Sequence, residues 1–183
     1  MTYSRSDFKG KPVLVALDLS ERFEACLRQG SEMATKFGQA LLLVHVVHET
    51  GETTGLYRRN HQTNDTTPLS DIARTMVEER LAAFREADDI LNAIRDIRVV
   101  VVEGLPETRI LELAKRYDAS MIVMCSHNRR GMSRWLYGSA TESVVRHAPC
   151  PVVVVGHGEA PFAPLTIHRP TAPGVTATEP LRV

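Results

Sequence analysis

Five short apolar runs alternate along this chain with segments whose apolar residues recur at helical spacing, and nothing else in it restricts the fold as much. Pro12 to Leu17 (P-V-L-V-A-L), Ala40 to Val47, Ile97 to Val102, Met121 to Met124 and Val152 to Val155 are apolar at nearly every position. Such runs present apolar side chains to both faces of a sheet, the mark of central strands in a parallel arrangement. Strands covered on both faces need helices above and below. The intervening segments supply them. Cys26, Leu27, Gly30, Met33, Ala34 and Phe37 share one helical face, as do Ile110, Leu113, Ala114 and Tyr117. Between them Ile72, Met76, Leu81, Phe84, Leu91 and Ile94 give a stripe down one helix of roughly 25 residues. The alternation predicts an α/β fold, a doubly wound five-stranded parallel sheet in the order 3-2-1-4-5 with helices on both faces.

Local signals set the element ends. Ser20 is placed to cap the first helix, Gly38 to stop it, and Thr67-Pro68 to start the second. Residues 48–67 are polar, carry Arg58 and Arg59, and are long for a structureless loop, so they read as a mobile flap or a disordered insertion. From Gly156 proline recurs without any period, which predicts one domain over 1–156 and an extended or disordered tail over 157–183.

Composition narrows the class of function. The chain has 183 residues with 22 Lys and Arg against 22 Asp and Glu, so no net field recruits nucleic acid or an anionic membrane. The three cysteines, Cys26, Cys125 and Cys150, show no metal-ligand spacing and point to a reducing compartment. Neither a leader peptide nor a run of ~20 apolar residues is evident, and the expectation is a cytoplasmic protein. No phosphate-binding G-x4-G-K-[ST] motif, paired carboxylates or metal cluster emerges, so no catalytic residue is assigned.

The stretch from Asp118 to Val155 carries the binding chemistry. A buried strand, an Arg- and Gly-bearing loop and a helix start place free N–H groups at a strand's carboxyl end, where a phosphate is stabilised. Ser139 and Glu142 are spaced as a capping box, worth about 1 kcal/mol with no ligand at all. Gly138, Ser139, Ala140 and Thr141 would then offer amides and hydroxyls to an anion. Arg129 and Arg130 could add charge-assisted contacts, or simply be solvated. Asp18, ending the first strand, either binds a ligand or caps the following helix. His45, inside an apolar strand, reads as a satisfied core histidine.

This region also resembles the last third of the universal stress protein family. There Gly-x2-Gly-x9-Gly-Ser/Thr precedes a helix and an Ala-Pro-Cys-Pro-Val run. Gly138-Ser139, Glu142 and Arg146-His147-Ala148-Pro149-Cys150-Pro151 match, whereas Cys125 and Asn128 stand where the family has its two leading glycines. The resemblance implies an adenine nucleotide site built from Asp18, Val46, Met124, Cys125, His127, Asn128, Arg129, Arg130, Gly138, Ser139, Ala140 and Thr141. It implies ATP, with or without magnesium, as the ligand of a stress-response sensor, with slow hydrolysis at most. It also implies a homodimer in which Val152, Val153, Val154 and Val155 pair with their counterparts across a two-fold axis. The lost glycines favour an alternative, a nucleotide-free interaction module. If nucleotide binds, Cys125 should keep a negative φ and turn its side chain away from the pocket.

Overall fold

The computed structural model describes residues 8–48, 68–125, 138–156 and 166–168. The expected flap, the tail beyond strand Thr166–His168, and the site candidates His127, Asn128, Arg129 and Arg130 lie outside those residues. In chain order the elements are β1 (Val13–Leu17), α1 (Phe23–Phe37), β2 (Leu41–Val47), α2 (Leu69–Ala87), a 3-10 turn (Asp89–Ala93) and β3 (Ile97–Glu103). There follow α3 (Pro106–Arg116), β4 (Met121–Cys125), α4 (Ser139–His147), β5 (Val152–Val155) and β6 (Thr166–His168). The sheet order is β3-β2-β1-β4-β5-β6, with β1 to β5 all parallel. The five-stranded parallel order read from the sequence is therefore the one observed.

Strand side chains alternate between faces, so each apolar run feeds two cores. Val13, Val15, Leu17, Leu41 and Leu43 pack beneath α1 and α2 with Phe23, Leu27, Leu81 and Phe84. Leu14, Leu42, Val44, Ile122 and Met124 pack on the other face with Ile110, Leu113 and Val144 of α3 and α4. Gly30 lets α1 lie tight on the sheet, since a Cβ there would sit 2.2 Å from Val15 Cγ2. Gly38 ends α1 with φ of 62°, and its amide and that of Gln39 close the last turn onto Thr35 O and Ala34 O.

Three expectations require correction. The long second helix breaks at Asp88, which is extended and accepts a hydrogen bond from the Ile90 amide at 3.0 Å through Oδ1. The aspartate offers the backbone a local turn in place of another helical one, so Leu91 and Ile94 reach the core from the 3-10 turn and its end. The α1 helix does not begin on a Ser20 cap; Arg22 flanks it with no side-chain cap. Lastly, the β5 edge expected to be open for a two-fold partner is paired within the chain. β6 runs antiparallel to it, with Val152, Val153 and Val154 opposite His168, Ile167 and Thr166. Pro164 and Pro170 bracket a proline-free window of the tail wide enough for this short strand. β6 thereby pairs the backbone groups of β5 and becomes the edge of the sheet itself.

Candidate functional site

The turn after β1 is built by local polar contacts. Asp18 Oδ1 accepts from the Ser20 amide at 3.0 Å and from the Ser20 hydroxyl, and Ser20 Oγ in turn accepts from the Arg22 amide at 3.2 Å. The aspartate thus shapes the strand-to-helix turn, as its turn-forming role predicts. α2 then braces that turn from outside. Arg80 donates to Ser20 O at 2.7 Å and to Glu24 Oε1 at 2.6 and 3.2 Å, with its guanidinium 4.3 Å from the Phe23 ring centre. A residue some 60 positions away in sequence therefore holds Asp18's turn in place.

Beside it, at the carboxyl ends of β1, β2 and β4, lies a mainly apolar cleft of about 170 Å³. Asp18, Val46, Met124, Cys125, Ala140 and Thr141 of the expected set all line it. The cleft opens at the point where the chain's crossovers reverse direction, between β1 and β4, which is where sheets of this type take ligands. Its volume is well below the roughly 300–1,000 Å³ of whole small-molecule sites.

His45 also lines the cleft. It is buried, its Nδ1–H donates to Leu17 O at 2.9 Å, and burial holds its pKa below the ordinary 6.5, so the ring is kept neutral. The sequence reading of a satisfied core histidine holds, but the cleft-lining position was missed. So were Pro106 and Ile110, which bring the first turns of α3 to the rim. The signal was available. Pro106 occupies the first helical turn after Gly104, where φ is 137°.

Among the described residues only Asp118 combines a side chain with positive φ, so Cys125 is not strained. Its Sγ points to Arg22 O at 3.7 Å, under α1 and into the core on that face. The thiol does not fill the cleft, and the expected orientation is the observed one. α4 departs from expectation. Gly138 flanks it, Ser139 is its exposed first residue, and no side chain caps it. Glu142 instead pairs with Arg146 at 2.6 Å, one turn on, while its amide donates to Gly138 O. With Ser139 already helical, its hydroxyl cannot make the capping-box bond, and the amides of that first turn are left to other acceptors. Gly138 and Ser139 thus stand at the helix start next to the cleft-lining Ala140 and Thr141.

A wider recess of about 760 Å³ opens at the opposite end of the sheet, lined by Lys9, Thr35, Gly38, Gln39, Arg95 and Asp96 among others. There α1 ends, presenting the negative pole of its dipole, which opposes a bound anion. Size alone would choose this recess; backbone polarity chooses the smaller cleft. Among the described residues no three His, Cys, Asp or Glu side chains gather as a metal would require, and no helix is long and apolar enough to cross a membrane.

The geometry is that of a doubly wound sheet with a cleft at its switch point, and comparison with known proteins gives the family. Residues 10–156 match the profile of the Universal stress protein family, and the chain belongs to that family. A universal stress protein of Synechocystis is 25% identical over 150 residues, covering 79% of this chain and 97% of that one. Among solved structures, a universal stress protein from Archaeoglobus fulgidus in complex with dAMP superposes with a TM-score of 0.54 at 22% identity, covering 79% of this chain and 97% of its own. A universal stress protein in complex with cAMP does so with a TM-score of 0.55 at 18% identity, covering 80% and 96%. At those identities the two structures support the shared fold.

Proposed function

We propose that this protein binds an adenine nucleotide in the cleft between β1 and β4 and acts as a stress-response sensor or regulator, with ATP as its ligand. The observation that carries the reading is the meeting of Asp18, Val46, Met124, Ala140 and Thr141 around one apolar slot beside a helix N-terminus. A purine fills the slot, sandwiched by Val46 and Met124. Asp18 faces the sugar, and the uncommitted first amides of α4 face the phosphates. Relatives of the same fold held with dAMP and cAMP support the class of ligand. Magnesium would accompany the triphosphate as its counter-ion. No described side chain is placed to activate a water, so the proposed role is occupancy rather than turnover.

The alternative is a nucleotide-free interaction module. It rests on Cys125 and Asn128 standing where the family has its two leading glycines; the Cys125 thiol's turn toward Arg22 relieves crowding at the first position, and Asn128 lies outside the described residues. The deciding experiment is to denature the purified protein, identify released small molecules, and titrate ATP with magnesium by calorimetry and thermal shift. Released adenine nucleotide or saturable binding is expected. No release together with no heat and no shift would leave the interaction module as the better reading.

A further inference from the structure

Cys26 and Cys125 take no part in the proposed binding chemistry, yet three contacts bring them together. The Cys125 thiol reaches Arg22 O at 3.7 Å, and the same carbonyl accepts from the Cys26 amide at 3.0 Å. The Cys26 thiol reaches Ala16 O at 3.5 Å. Ala16 pairs in register with Met124, the neighbour of Cys125, across one inter-strand step of about 4.8 Å. Both side chains belong to the same core between the sheet and α1.

We propose that Cys26 and Cys125 are an oxidant-responsive dithiol, a modification site at which a hydroperoxide converts the two thiols into an intrachain disulfide joining the start of α1 to the end of β4. Cys125 reacts first, because it is the more exposed of the pair, 6% against 1% for Cys26. Its thiolate attacks one peroxide oxygen; the O–O bond breaks, an S–O bond forms, and hydroxide leaves as water, giving a sulfenic acid. The Cys26 sulfur then attacks the Cys125 sulfur. The S–S bond forms, the S–O bond breaks, and the Cys26 proton leaves with the departing hydroxide as water. Two thiols lose two electrons and two protons, and one hydrogen peroxide becomes two waters.

The contact with Cys125 and burial both push the Cys26 thiol well above its ordinary pKa, which disfavours it as the first nucleophile. Cys150 is a built-in control. It lies in the other core, and burial raises its pKa to about 11. The disulfide stands on this geometry whatever occupies the cleft.

The test exposes the full reduced chain to hydrogen peroxide under native conditions, blocks remaining thiols, digests without reduction and maps the peptides by mass spectrometry. The expected product joins the Cys26 and Cys125 peptides, leaves Cys150 reduced, and reverts with dithiothreitol. Cys26→Ala should abolish the cross-link and leave a Cys125 sulfenic acid that a 1,3-dione traps. Three results would overturn the proposal: Cys125 over-oxidised without a cross-link, linkages dominated by Cys150, or no reaction of the native chain at peroxide levels that cross-link the unfolded one. The wild-type map decides the matter even if the alanine variant fails to fold.

Discussion

The two ends of the sheet carry recesses of opposite character. At the amino end the opening is about 760 Å³ and lined by Lys9, Gln39, Arg95 and Asp96; at the carboxyl end it is about 170 Å³ and mainly apolar. The larger one faces the C-terminal end of α1, whose dipole disfavours an anion, although Lys9, Arg95 and Arg98 line it against one carboxylate, Asp96. The smaller one faces the first turns of α3 and α4, where amides await an acceptor. In a doubly wound sheet every crossover points its helix N-terminus to the same side. Chain direction therefore biases the two ends differently toward an anion before any side chain is chosen.

The sharpest way to break that comparison is to fill one end and perturb the other. Met124→Trp should block the slot and weaken adenine nucleotide binding ~100-fold, about 2.7 kcal/mol, in a calorimetric titration. Arg95→Glu at the amino end should leave affinity within about twofold. Equal losses from both would show that the wrong end has been chosen.

A smaller loss is expected from the brace on Asp18's turn. Arg80→Ala removes hydrogen bonds to Ser20 O and Glu24 and the contact with Phe23, and should cost about 1–2 kcal/mol in denaturant unfolding. Nucleotide affinity should fall with it. A loss of stability with unchanged affinity would mean that the turn does not position the ligand.

Acid should also act at the carboxyl end, through His45. Its folded pKa lies below the unfolded 6.5, so the unfolded state binds the proton more readily. The associated stability is present above about pH 6.5 and is lost as pH falls toward the folded value. Unfolding free energy measured across that range should slope downward with acid, and His45→Asn should flatten the slope. An unchanged slope would assign the acid response to other groups.

The smallest effect concerns the start of α4. A working capping box would make Ser139→Ala cost about 1 kcal/mol. With Ser139 inside the helix and Glu142 paired to Arg146 at the surface, the loss should stay below about 0.5 kcal/mol. A larger loss would restore the box.

The strands were legible because burial on both faces leaves few polar positions in them, His45 in β2 and Arg98 in β3 among the exceptions, and their order followed from strict alternation with helices. Asp18, Ala140 and Thr141 were legible because they end a strand or begin a helix at one side of such a sheet, whereas Val46 and Met124 were named only through the family resemblance; all five line one cleft. Less could be read where two local signals competed. Asp88 interrupts a continuous apolar stripe, and periodicity cannot weigh a single side-chain-to-backbone bond against one more helical turn. The spacing of Ser139 and Glu142 suits a capping box, yet a shift of one residue in the helix start removes it.

By itself the sequence determined the class of fold, the side of the sheet that favours an anion and the family to which the chain belongs, all of which depend on patterns along the chain. Tertiary structure alone decided two things: that Arg80 secures the turn of Asp18 and that β6 pairs with the edge of β5. Each joins residues distant in sequence. Such contacts form only when the packing of the whole sheet has fixed where the partners meet, and no local pattern encodes them.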